Sequence, residues 1–178
     1  GGLSMKILWV VNILFPYPAQ QLGMEVTVFG GWMLSLLNEI INEKNVKKIA
    51  IVTTYKGSNY LKYSCDNVTY YLVPCKNREK YNKNVTSMFK QIYNDFKPDL
   101  IHIHGTEYPH SLSAIESSCN VKTLVSVQGL VSVCGIEHNY NAGITKFKML
   151  KNVTLRDLIK NDFLFTQSLK KKKKGRYE

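Results

Sequence analysis

Short apolar runs alternate along this chain with stretches whose apolar side chains recur at helical spacing. Ile7 to Val11, opened by Lys6 and closed by Asn12, is an unbroken apolar run and predicts a buried first strand. A long connection over residues 13–29 follows, carrying Pro16, Pro18 and Gly23, and it closes on Gly30-Gly31. From Trp32 to Ile41 the apolar positions 33, 36, 37, 40 and 41 share one helical face. Lys48 to Thr54 and Val68 to Pro74 are β-branched runs that predict two further strands, with a tyrosine-rich segment, Tyr55 to Tyr63, between them. Asn84 to Phe96 predicts a helix with Val85, Met88, Phe89, Ile92 and Phe96 on one stripe, and Pro98 closes it ahead of a strand over Leu100 to His104. A short helix over Tyr108 to Cys119 and a fifth strand over Thr123 to Val127 complete the alternation. Residues 131–153 are irregular, and a helical pattern resumes from Thr154 through the lysine run at Lys170 to Lys174.

This order predicts an α/β fold: a Rossmann-like, mainly parallel sheet with helices on both faces. No repeat or internal linker marks a second domain, so residues 5–178 read as one domain and Gly1 to Ser4, ahead of Met5, as a cloning remnant. Composition agrees: 178 residues, 44% of them hydrophobic, suffice for a two-sided sheet, and only 5 prolines and 11 glycines argue against disorder. There is neither an apolar run long enough to span a membrane nor a signal-peptide pattern, which points to a cytoplasmic protein. Cys65, Cys75, Cys119 and Cys134 lie far apart with no C-x-x-C pair and read as reduced thiols.

Charge changes the picture at one end. Residues 1–145 hold 13 basic against 10 acidic side chains, a net +3, whereas residues 146–178 hold 11 against 3, a net +8. The basic tail suits an anionic membrane surface or plain solvation. Nucleic acid is disfavoured, because no aromatic residues interleave with the lysines as stacking platforms and no nucleic-acid motif occurs.

Candidate chemistry gathers at predicted strand ends. In open α/β sheets ligands sit beyond the carboxyl ends of the strands, which makes His104, Gly105, Thr106 and Glu107 the first candidate site. A long loop that closes on the Gly30-Gly31 pair at a helix start offers free N–H groups to an anion. Gln128-Gly129 is a further strand end with a glycine exit. No G-x-G-x-x-G follows the first strand and no G-x-x-x-x-G-K-[ST] occurs, so a dinucleotide site of that kind and a P-loop are both unsupported. His102-x-His104 could share a metal across alternate strand positions, but metal-dependent hydrolases with such pairs use larger barrels, and no metal is assigned. Instead His102 is expected to pack into the sheet and His104 to stand at the rim. Cys134-x-x-x-His138 is a still weaker metal pattern.

Taken together, the opening K-I-L-W-V strand, the loop closing on G-G, P-D-L-I-H-I-H-G-T-E-Y over 98–108 and S-V-Q-G-L over 126–130 resemble the N-terminal half of a family 4 glycosyltransferase of the GT-B fold. The resemblance covers nearly the whole chain. It implies the acceptor-side member of two facing Rossmann-like domains, the other holding a nucleotide-sugar donor, and a retaining hexosyl transfer to a polysaccharide or lipid-linked acceptor in building a bacterial surface glycan. Gly30 and Gly31 match the family's glycine loop, and His104 to Tyr108 its fourth strand end. Gln128 stands where many relatives carry a histidine beside the reacting sugar, and glutamine can hydrogen-bond a hydroxyl but cannot titrate. Lys174 to Glu178 resemble a basic segment whose arginine, here Arg176, can reach an acceptor. The implied substrate-binding set is Gly30, Gly31, His104, Gly105, Glu107, Gln128, Gly129 and Arg176. No cofactor is implied, no catalytic residue is assigned, and the donor-binding domain is not in this chain. The expected location is the cytoplasm, with peripheral attachment to the inner face of the membrane through the basic tail. A non-enzymatic, flavodoxin-like binding module is the alternative, although the acidic cluster or phosphate loop expected there after the first strand is missing.

Overall fold

The computed structural model describes residues 4–26, 30–118, 120–130, 145–151, 153–160, 166–167 and 169–170. Its strands are β1 (Met5–Val11), β2 (Val46–Tyr55), β3 (Leu61–Cys65), β4 (Val68–Pro74), β5 (Leu100–His104) and β6 (Lys122–Ser126). The helices are α1 (Pro16–Gln21), α2 (Gly31–Ile40), α3 (Lys83–Phe96), α4 (His110–Ser117), α5 (Lys146–Lys151) and α6 (Leu155–Lys160). The strands form one sheet in the order β3-β4-β2-β1-β5-β6, parallel throughout except for the antiparallel edge strand β3.

Omitting β3, the chain lays its first three parallel strands outward on one side of β1 and then crosses back to β5 on the other. That is the Rossmann-like order; a flavodoxin-like chain would place its third parallel strand on the far side of β1. The expected α/β architecture is therefore present, and its strand order departs from the alternative reading. The crossing point lies between β1 and β5, where Ile7 to Val11 pair with Leu100 to His104.

Helices cover both faces. On one face Val85, Phe89, Ile92, Tyr93 and Phe96 of α3, with Ala114 of α4, close over Leu8, Val10, Val52 and Ile103. On the other, Phe15, Met33 and Leu37 close over Trp9, Val11 and Ile51. Alternate β1 residues thus serve opposite cores, which is why the run has no polar gap. Burying a side chain such as Phe89 or Ile92 contributes roughly 2 kcal/mol. α3 starts where Asn82 accepts a hydrogen bond from Asn84 N–H (2.9 Å), and it stops at Lys97, in the left-handed region ahead of Pro98.

Several boundaries differ from the sequence reading. The 13–29 connection contains α1, because a proline at the first helical position is pre-set for a helix rather than against one. The tyrosine-rich segment ends in β3, which returns antiparallel on β4 through the two-residue turn Asp66-Asn67, with Asp66 at a φ of 50°. On α2, Leu36 faces outward rather than joining Met33 and Leu37 in the core. α4 is shorter than expected at both ends, and α5 forms within the stretch read as irregular. No helix among the described residues is long and apolar enough to cross a membrane.

Candidate functional site at the strand carboxyl ends

Asn12, the first polar residue past β1, is the hub of the crevice edge. Its side-chain Nδ2 donates to Glu107 Oε2 (2.5 Å), and its carbonyl accepts from Arg78 Nη2 (2.7 Å). Gly105, at a φ of 93°, turns the chain out of β5, and a Cβ there would collide with the Glu107 carboxylate and the Asn12 amide. A Cβ on Gly129 would lie 3.5 Å from Glu107 Oε1, so the chain leaving β6 runs past the same carboxylate. The structure accordingly brings Gly105, Glu107 and Gly129 together. Gln128, one residue earlier, is exposed.

Gly30 and Gly31 join this edge through Ile13, which follows Asn12, but the two glycines differ. Gly30 is the N-cap of α2, with a φ of 87°, and a Cβ on it would run into Ile13 Cδ1. Folding alone accounts for that glycine. Gly31, already helical, has nothing among the described residues within 4 Å of where a Cβ would stand. No described contact requires a glycine there, and the open space is available to an approaching molecule. Trp32 follows in the first turn of α2, and its ring, 51% exposed, lies 5.8 Å from that of His104.

The histidine pair is arranged the other way round from the sequence expectation. His104, expected at the rim, is 1% exposed, packed 4.6 Å from the Trp9 ring and covered by Trp32. Both of its ring nitrogens are buried, and neither has a hydrogen-bond partner among the described residues. Burial, helped by the neighbouring His102, pulls its pKa down to about 4, so it is a neutral imidazole at neutral pH. His102, expected deeper in the sheet, is half-buried and bonds through Nε2 to Ser126 Oγ (2.7 Å) on β6. The cause is α2: Trp32 roofs the carboxyl end of β5 but not its middle. The two rings sit 3.8 Å apart, and no group of three or more metal-ligating side chains gathers among the described residues.

Arg78, from the loop after β4, closes the other flank. Its Nε donates to Thr54 Oγ1 (2.9 Å) at the end of β2, and its guanidinium lies 4.7 Å from the Tyr108 ring centre, a cation–π arrangement. Beneath it, His110 is fully enclosed, and its Nε2–H donates to Val11 O (3.2 Å). Burial first, then the Arg78 charge, pull the His110 pKa down to about 3, so this imidazole also stays neutral. Ser111 Oγ donates to Gly105 O (2.9 Å), anchoring the exit of β5 to α4.

Sequence reasoning missed Asn12, Trp32 and Arg78. Asn12 was open to the same rule that singled out Glu107, since it is the first polar residue after a buried parallel strand. Arg78 carries no local signal; only the strand order brings the β4 loop against β1. Arg176, Cys134, His138 and residues 171–178 of the basic tail lie outside the described residues.

The chain matches no protein-family model, and comparison with curated proteins and with solved structures yields no match.

Proposed function

We propose that this chain is the acceptor-binding half of a glycosyltransferase, one wall of a two-domain cleft. The rest of its polypeptide or a partner would supply the nucleotide-sugar donor site. The observation that carries the reading is Gly31: a glycine with nothing among the described residues where a Cβ would stand, next in sequence to the exposed Trp32 and joined through Gly30 and Ile13 to the strand exit that carries the Asn12–Glu107 pair. A sugar presents a ring of hydroxyls and an apolar face. Glu107 can accept from hydroxyls, the Asn12 amide fixes that carboxylate in place, and Trp32 offers a flat apolar surface.

The motifs over 98–108 and 126–130 support the same reading, because they place Glu107 and Gly129 where the resembled family handles its acceptor. Within it the neutral His104 is a packed support for Trp32 rather than an acid or base. No group of this half is assigned the chemical step; electrostatic support of the departing diphosphate belongs to the donor half. The substrates proposed are a nucleotide sugar and a polysaccharide or lipid-linked acceptor, with the basic 146–178 segment holding the protein at an anionic membrane surface.

Amide chemical shifts of the chain, followed while glucose, galactose, mannose and maltose are titrated in, test the acceptor site. The expected result is saturable change at Gly31, Gly105 and Gly129 and at the Trp32 indole for at least one sugar. Response to none of them, with tight binding of a flavin instead, contradicts the proposal.

A further inference from the structure

We infer that the acceptor carries a phosphate group and that Arg78 is the residue that binds it. This deepens the proposed function and rests on the same strand-end site, but its observations are separate. The Arg78 guanidinium is half-buried and positioned on three sides, by Thr54 Oγ1, by the Asn12 carbonyl and by the face of Tyr108. All three partners are uncharged. No carboxylate pairs with it among the described residues, and the carboxylate at this edge, Glu107, is engaged by Asn12.

A guanidinium stays protonated at neutral pH, so the described residues hold a partly desolvated cation in fixed orientation without neutralising it. Such an arrangement is costly unless an anion completes it. The two hydrogen bonds use Nε and Nη2, and Nη1 has no partner among the described residues. One N–H of Nη1 and the second N–H of Nη2 are left as the parallel pair that the two-oxygen geometry of phosphate needs.

The surroundings agree. The loop over residues 75–82 carries Lys76, Arg78 and Lys80 against the single acid Glu79. On the far side of Asn12, Ile13 leads to the Gly30-Gly31 start of α2, whose N–H groups favour the same sign of ligand. A phosphate at Arg78 would sit beside Asn12 and Glu107, the groups assigned to the sugar. The ligand class that fits both is a sugar phosphate, free or as part of a lipid headgroup.

The test follows the Arg78 Nε–H signal and the Gly31 and Gly105 amides while inorganic phosphate, glucose 1-phosphate and glucose are added at constant ionic strength. Parallel samples receive vesicles of phosphatidylglycerol or of phosphatidylcholine. The wild type should bind glucose 1-phosphate more tightly than phosphate or glucose, and Arg78→Gln should weaken it by about tenfold or more. Arg78→Lys, which keeps the charge but loses the fork, should fall between and guards against a merely unfolded variant. Response to soluble phosphates assigns a free ligand; response only to phosphatidylglycerol vesicles, still lost in Arg78→Gln, assigns a headgroup. Equal affinities in wild type and both variants overturn the inference. If glucose alone perturbs Gly31 and Glu107, the anion site falls and the sugar reading stands; if phosphate binds at Arg78 and no sugar improves on it, the sugar reading falls and the anion site stands.

Discussion

The two adjacent glycines should separate folding from the proposed binding at single positions. Gly30→Ala should destabilise the chain by about 1–2 kcal/mol, since its φ of 87° strains any L residue and the added Cβ meets Ile13. In thermal unfolding that is a drop of roughly 2–8 °C for a chain of this size. Gly31→Val, with helical geometry and open space, should hold its melting temperature within a few degrees while sugar-induced shifts at Gly105 and Gly129 disappear. If both variants unfold alike, the pair is only a turn. Residue-level legibility followed the same division. Glu107 and the glycines were readable because strand ends in parallel sheets announce themselves by a polar residue or a glycine after an apolar run. The depth of His104 was not, because it depends on which helix roofs the strand, and Trp32 lies some seventy positions earlier in the chain.

Among the elements, β1, β5 and α3 were the most legible, having strong periodicity and proline or asparagine boundaries. β3 escaped although Leu61, Tyr63 and Cys65 alternate strictly with Lys62 and Ser64: the run is only five residues long and merges with the tyrosine-rich segment before it, and Asp66-Asn67 after it is the kind of two-residue turn that marks a hairpin. Asn82→Ala, which removes the cap of α3, should cost about 1 kcal/mol in urea unfolding without touching the site; no loss would mean that packing alone fixes the helix start. The later helices make a different prediction. Phe147 of α5 is 78% exposed and Ile159 of α6 80% exposed, alongside Lys148, Lys151, Arg156 and Lys160. That mixture of uncovered apolar and basic side chains suits a membrane interface, where each well-placed basic residue contributes about 1 kcal/mol. Co-sedimentation with phosphatidylglycerol vesicles should therefore be salt-sensitive and reduced in Phe147→Ser/Ile159→Ser; sedimentation that neither salt nor the double variant changes counts against the membrane contact.

At the scale of the whole molecule, two neutral histidines make the fold acid-sensitive. His104 and His110 have folded-state pKa values near 4 and 3, below the 6.5 of an exposed imidazole. Between about pH 6.5 and 4 the unfolded chain takes up protons that the folded chain refuses, so stability rises with pH through this window and is lost as pH falls. The urea midpoint should decline steadily over that range, and His104→Phe should flatten the decline; a midpoint indifferent to pH above 4 would show that both imidazoles charge freely in the fold. In the proposed reading, the same buried, neutral ring argues that this chain supports a site rather than performs the chemistry. Whether the chain forms one wall of a transfer cleft is decided by turnover. Purified chain, alone and joined to a donor-binding domain, is incubated with UDP- and GDP-sugars and a candidate acceptor, and nucleoside diphosphate release is measured. No release is expected from the chain alone, with nucleotide-sugar affinity no tighter than roughly millimolar, worth about 4 kcal/mol, and acceptor-dependent release is expected once both domains are present. Micromolar donor binding or turnover by the chain alone, or no release by the complete pair with any donor, would contradict the proposed cleft.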